Sequence, residues 1–213
     1  MNVNSNNIVF WLLTRIYASP RHLALIRAEI RPFTHPRISV PDITHSAPLL
    51  RAAFYECLRL DTASTTIKTV SAPFTITESP SDAFDGAAPQ SYRINAGEFI
   101  HVDHGLHQTD ARYYPEPAVF RPERFLVRGP GEGGGKAQAN QGTIRPFGGG
   151  HNLCKGYKFA EREILLFAAG ILAAWDVEAV GATVPAHVRG SGAFLPRGDF
   201  RVRMRRRGAG ADG

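Results

Sequence analysis

Apolar residues recur at helical spacing in three stretches near the start of the chain and in one long stretch near its end. Ile8, Trp11, Leu12 and Ile16 stand at steps of three and four within Asn7–Tyr17. That spacing predicts an amphipathic helix stopping at Ser19-Pro20. Ser19 is placed to cap a second helix, Pro20–Ile30, with Pro20 at its first position and Leu23, Ile26 and Ile30 inward. Pro32–Pro41 reads as a proline-punctuated connection. Ser46-Ala47-Pro48 then opens a third helix that buries Leu50, Phe54, Cys57 and Leu58. The longest helix is predicted over Lys155–Ala174, with Phe159, Leu166, Phe167, Gly170, Ile171 and Ala174 on its inner face.

Between these helices the period changes. Thr65–Ile76 alternates β-branched and polar residues, which suits strands. Ser79–Gln90 reads as an irregular loop, and a second strand pair over Tyr92–Val102 turns at Asn95-Ala-Gly97. Phe120–Leu126 follows close-set prolines and reads as irregular coil, and Gly129–Gly135 as a flexible surface loop. That loop contains G-x-G-x-x-G at Gly129, Gly131 and Gly134. With no strand before it and no helix directly after, it is not a nucleotide site. Small β elements finish the chain, with a turn near Gly190–Gly192.

Composition narrows the class. At 213 residues, 43% hydrophobic and 21% charged, the chain is an ordinary globular protein of one or two domains. Two cysteines, Cys57 and Cys154, make neither a disulfide framework nor a paired zinc site. Much of the net charge of +6 lies in Arg201–Arg207, read as a final strand with one solvated face and a frayed basic end. No aromatics interleave with those arginines, so nucleic acid is not an expected partner. The longest apolar run near the start, Ile8–Leu13, is too short to span a membrane and has no basic residues before it. No targeting signal is read.

Candidate chemistry centres on Phe147–Gly156, F-G-G-G-H-N-L-C-K-G. Its glycines permit close backbone approach to a ligand and positive φ. A helix beginning near Cys154 would favour a thiolate there, as an axial sulfur on haem iron requires. The plainer alternative is a glycine-rich turn with a buried cysteine. His101, His104 and His107 stand at steps of three, but a metal cluster wants ligands converging from a fixed element, and no carboxylate lies at a telling distance. His151 reads as surface. Glu56 and Arg59, three apart, are neighbours on one helix face and on spacing alone an ordinary ion pair.

Three motifs occur in a fixed order: Glu56-Cys-Leu-Arg59, then Pro122-Glu-Arg-Phe125, then F-x-x-G-x-x-x-C-x-G at Phe147, Gly150, Cys154 and Gly156. Together they resemble the C-terminal half of the cytochrome P-450 family. The resemblance covers residues 1–213: distal end of the central helix, E-x-x-R helix, coil, cysteine loop, long helix and terminal β hairpin. Asn4-Ser-Asn-Asn-Ile-Val-Phe10-Trp11 is similar to the branch containing prostacyclin synthase and the sterol 7α-hydroxylases.

The resemblance implies a truncated P-450 fold, mainly α with small β sheets (α+β). It implies haem (iron protoporphyrin) as cofactor, with Cys154 as the catalytic iron ligand and Phe147, Gly150, Asn152, Gly156 and Lys68 as further cofactor-binding residues. Lys68 falls where many members place an arginine against a propionate, and Asn152 where Arg or His commonly binds the other. Glu56, Arg59 and Arg124 become a structural triad in which one buried carboxylate accepts bidentate bonds from both guanidiniums. Asn4 replaces the threonine that other members use near bound dioxygen, and His107 and Asp110 match an ordinary H-x-x-D stretch.

The implied activity is a haem-thiolate monooxygenase inserting one oxygen atom from dioxygen into a small apolar substrate, with electrons from an NADPH-dependent reductase. Arg145, Lys155, Lys158 and Arg162 read equally as a steering face for that partner and as solvated charge. Full-length homologues would be anchored in the endoplasmic-reticulum membrane. Family members are much longer, so the missing half would leave Ala63–Ile67 and Ser191–Phe194 as pocket lining and expose Phe10, Trp11 and Phe167. Two other readings are a non-catalytic remnant or interaction fragment, and a haem-thiolate isomerase or dehydratase of an oxygenated lipid.

Overall fold

The computed structural model describes residues 3–34, 37–83, 86–129, 136–181, 184–188, 190 and 192–208. Gly131 and Gly134 of the glycine loop, and Ser191 of the terminal turn, lie outside these. The chain divides into two units, Thr65–Asp103 and the remainder.

The larger unit holds α1 (Val3–Tyr17), α2 (Pro20–Thr34), α3 (Val40–Ser46), α4 (Pro48–Asp61), α5 (His104–Thr109) and α6 (Tyr157–Ala174). Helix α4 carries the most varied burial: Leu50, Phe54 and Cys57, and also Glu56, Arg59 and Asp61. Ile8, Trp11, Leu12 and Ile16 of α1, and Ile26 and Ile30 of α2, belong to the same core. Burying an apolar side chain of this size contributes about 1.5–3 kcal/mol.

Several elements depart from the sequence expectation. α2 runs past Ile30 through Pro32 to Thr34, and buries His22 more fully than Leu23. α3 arises where a connection was expected. Pro41 sits in its first turn, where a missing N–H costs no helical bond. The N-cap position of α4 is Ala47, which has no capping group. Glu29 of α2 caps it instead, accepting the N–H groups of Leu49 and Leu50 at 2.8 and 2.9 Å. Pro122–Phe125 forms a 3-10 turn rather than irregular coil.

The inner face of α6 is Ile164, Leu165, Ala168, Ala169 and Leu172. The expected anchors Phe159 and Phe167 point outward, 68% and 59% exposed. Conversely Trp11, expected to be exposed, is fully buried, because its indole N–H donates to the Phe194 carbonyl at 2.8 Å.

Strands of the larger unit are β1 (Thr62–Ala63), β6 (Leu126–Arg128), β7 (Ala137–Ala139), β8 (Trp175–Ala179), β9 (His187–Val188), β10 (Gly192–Ala193), β11 (Leu195–Pro196) and β12 (Val202–Arg206). They pair antiparallel as β1–β10, β6–β7, β8–β12 and β9–β11. The smaller unit holds β2 (Thr65–Thr69), β3 (Phe74–Thr77), β4 (Ser91–Ile94) and β5 (Phe99–Asp103). β4 and β5 do not form the expected hairpin. β3 pairs with β4 and β2 with β5, as one long hairpin interrupted opposite Asn95–Glu98. There Gly97, at φ +86°, donates to the Val70 carbonyl at 2.8 Å.

Candidate functional site

The cysteine loop follows Ile144, which is fully buried, and Phe147, which packs against the core. Beyond Phe147 the backbone takes left-handed φ at Gly148 (+72°) and Gly150 (+59°), a conformation that L side chains resist. Gly148 N–H donates to Arg145 O at 3.0 Å, and Leu153 N–H to Gly150 O at 3.1 Å, closing a 3-10 turn over Gly150–Asn152. The loop is then sealed on itself by the Cys154 N–H, which donates to Phe147 O at 2.9 Å.

Cys154 is free and exposed, so the buried-cysteine alternative does not hold; Cys57 is the buried one. A Cβ added at Gly149, Gly150 or Gly156 would meet no atom within 4 Å. The loop therefore presents unobstructed backbone around an accessible thiol. α6 begins at Tyr157, three residues later than the start expected near Cys154. The cysteine stands in the preceding turn, where its carbonyl accepts the Tyr157 N–H at 3.3 Å. The rings of Phe147 and Tyr157 lie with their centroids 5.9 Å apart. Asn152, Arg145, Lys155, Lys158 and Arg162 are exposed, and Lys158 Nζ lies 5.9 Å from the Tyr157 ring.

Glu56, Arg59 and Arg124 come together, but unequally. Arg59 donates to both Glu56 oxygens, at 2.7 and 2.8 Å, and both side chains are fully buried. Arg124 Nε lies 3.4 Å from Glu56 Oε1, within ion-pair reach but without hydrogen-bond geometry. Its Nη2 donates instead to the Glu116 carbonyl at 2.9 Å. The second bond to Glu56 Oε1 comes from the Arg121 backbone N–H at 2.9 Å, so the bidentate pairing expected from Arg124 is replaced by main chain.

A second buried carboxylate had no sequence signal. Asp61 accepts two bonds from Arg15, lies 2.8 Å from His187 Nε2, and accepts the Cys57 thiol at 3.3 Å. Burial, then the Asp61 charge, push that thiol well above its ordinary range, so Cys57 is inert. Gln108 was also missed. It is fully buried; its side-chain amide donates to the Arg59 carbonyl at 2.9 Å, while its main-chain carbonyl accepts Arg59 Nη1 at 2.7 Å.

Lys68 lies half-buried on β2 of the smaller unit. His101 is on β5 there, while His104 and His107 are on α5 of the larger unit. Among the described residues no group of three His, Cys, Asp or Glu could hold a metal ion. His107 lies 2.8 Å from the Thr143 hydroxyl, and Asp110 pairs with Arg112. His151 is exposed. Asn4 accepts the Ala193 N–H at 3.3 Å. An apolar groove of about 550 Å³, lined by Phe10, Leu13, Tyr17, Ile171, Phe200 and Met204 among others, contains none of the cysteine-loop residues.

No helix of the described residues is long and apolar enough to cross a membrane. A solved cytochrome P450 structure (CYP102L1) superposes with a TM-score of 0.73 at 24% identity, over 96% of this chain and 42% of that one. A cytochrome P450 monooxygenase of Gibberella zeae is 28% identical over 184 residues, 83% of this chain and 33% of the relative. Human prostacyclin synthase is 28% identical over 222 residues, 95% of this chain and 42% of that enzyme. The chain thus spans between a third and a half of the length of these relatives. The family model for cytochrome P450 matches residues 4–203, and with the mainly α architecture and small sheets described above, this chain belongs to the cytochrome P450 family of haem-iron proteins.

Proposed function

We propose that residues 1–213 form the haem-binding, C-terminal part of a haem-thiolate monooxygenase. The observation that carries this reading is the exposed Cys154 thiol, set in a self-bonded loop whose neighbouring glycines open onto free space. Such a surface fits a flat macrocycle, and a thiol is the donor the iron takes in this family. When bound, the haem supplies the activation of dioxygen and the insertion of one oxygen atom into an apolar organic substrate.

The chain's own residues bind and orient. Cys154 is the residue that would hold the iron, through its sulfur. Its main chain is fixed by the bond from its N–H to Phe147 O, so the sulfur is presented without reorganisation. Gly150 and Gly156, with open space where a Cβ would stand, would let a macrocycle approach the backbone, and Phe147 anchors the loop to the core. Asn152 and Lys68 are the proposed propionate donors, Asn152 by hydrogen bond only. Glu56, held by Arg59 and by the Arg121 main chain, ties α4 to the segment that leads to the loop and does no chemistry. The exposed Arg145, Lys155, Lys158 and Arg162 offer an acidic NADPH-dependent reductase a basic surface. The same reading has full-length homologues anchored in the endoplasmic-reticulum membrane.

The test is a reduced carbon-monoxide difference spectrum of the expressed chain supplied with haem, beside Cys154→Ala. A thiolate-type, red-shifted Soret band that is lost in the variant is the expected result. The same band in both proteins, or none in either, defeats the assignment of Cys154.

A further inference from the structure

The first turn of α1 is joined to strand β10 by a side-chain contact. Asn4 Oδ1 accepts the Ala193 N–H at 3.3 Å. Its carboxamide occupies the place where a side chain at residue 192 would stand: a Cβ there would lie 2.9 Å from Asn4 Oδ1 and 3.2 Å from Nδ2. Gly192 is also at φ +116°, outside the range that L side chains adopt readily.

Two more groups on α1 hold the residues that follow. Trp11 Nε1 donates to Phe194 O at 2.8 Å, and Arg15 clamps Asp61, whose own carbonyl accepts the Phe194 N–H at 2.8 Å. Asn4, Trp11 and Arg15 are seven and four residues apart, which puts them on one stripe of the helix. β10 in turn pairs with β1, Ala193 opposite Thr62 and Gly192 opposite Ala63. Phe194 is buried behind this junction.

We propose that Asn4 is a positioning residue: seated in the space left by Gly192, it fixes the Gly192–Phe194 strand and so sets the shape of one wall of the apolar-substrate space. The inference rests on the function proposed above, and on the pocket lining that the family resemblance implies, to which Ala63 and Gly192–Phe194 belong. It gives Asn4 a task different from the one its place in the family sequence implies, beside dioxygen. The carboxamide reads the strand, and the strand limits which substrates fit.

Three variants of the full chain test this: Asn4→Asp, which keeps size and acceptor; Asn4→Leu, which keeps size and loses the acceptor; and Gly192→Ala. Amide hydrogen exchange at Ala193, measured without haem, rises about fivefold in Asn4→Leu and stays near wild type in Asn4→Asp. On haem-loaded protein, the ratio of affinities for 4-phenylimidazole and imidazole, read from the Soret shift, reports the room beside the iron. That ratio changes severalfold in Asn4→Leu and Gly192→Ala and is retained in Asn4→Asp. Unchanged exchange and an unchanged ratio in folded, haem-loaded Asn4→Leu overturn the proposal alone. Faster exchange with an unchanged ratio makes Asn4 a structural tie only, which also overturns it. A wild-type chain that takes up no haem overturns it together with the reading it rests on.

Discussion

Arg15 and Asp61 form a two-pronged ion pair, Nε to Oδ2 and Nη2 to Oδ1, both at 2.6 Å, around a carboxylate with no solvent exposure. The pair ties α1 to the last residue of α4, and His187 brings β9 to the same carboxylate. Arg15→Ala would leave Asp61 buried with only half-buried His187 and the Cys57 thiol against it. The expected loss is about 3–5 kcal/mol in urea unfolding. Arg15→Met with Asp61→Leu removes both charges together, and this double variant is expected to be clearly more stable than Arg15→Ala alone.

Arg59 and Arg124 are not equivalent partners of Glu56. Arg59→Ala strips both short bonds from a fully buried carboxylate and is expected to cost about 3–5 kcal/mol. Arg124→Ala removes one charged bond to the Glu116 carbonyl and a longer ion pair, for about 1.5–3 kcal/mol. Denaturant midpoints that fall equally in the two variants would contradict this ranking.

Asp176 gathers Arg27, Arg205 and Arg207 at 2.9, 3.1 and 3.3 Å. Burial pushes its carboxyl up, but the hydrogen bond and charge of Arg27, then those of Arg205 and Arg207, outweigh it and bring it below its ordinary 3.8. A carboxylate lowered in the folded state stabilises above its unfolded value, and that stabilisation is lost as pH falls through the lower, folded one. Asp176→Asn should therefore melt below wild type near neutral pH and converge with it in acid, as pH falls through the lowered, folded value. A gap in melting temperature that does not narrow with acid would show that the charge of Asp176 is not what stabilises.

Gly148 and Gly149 are adjacent and should respond differently. Gly148 has φ +72°, and a Cβ there would meet Asn152 O at 3.3 Å, so Gly148→Ala is expected to cost about 1–2 kcal/mol. Gly149 is extended, with nothing within 4 Å of its Cβ position, so Gly149→Ala should fall within about 0.5 kcal/mol of wild type. Thermal melts of the two variants check the contrast.

Local spacing made much of this fold readable. The i, i+3 step of Glu56 and Arg59 and the apolar steps of α1 are short-range patterns, and the structure keeps them. The inner face of α6 was misjudged because its aromatics are its most hydrophobic residues. The packed surface is instead the stripe of Ile164, Leu165, Ala168, Ala169 and Leu172, where the two alanines let neighbouring helices approach. α3 was hidden because Pro41 reads as a breaker unless its place in the first turn is known. Arg15 and His187, the charged or ring-nitrogen partners of Asp61, come from 46 residues before it and 126 after it, so no local pattern announces them. The glycine loop was legible as chemistry because positive φ and close approach demand glycine, whereas the substitution of Arg121 main chain for Arg124 depends on geometry alone.

The bond from Trp11 to Phe194 closes across 183 residues of chain. During synthesis at about 5–20 residues per second, some ten to forty seconds separate the emergence of the two groups. Through that interval the indole N–H of Trp11 lacks this partner, while α2 and α4 can already cover part of the core face of α1. The order of assembly on the ribosome is therefore set at the last strands rather than the first helix. Contacts of such separation raise the contact order of the fold and slow its final closure.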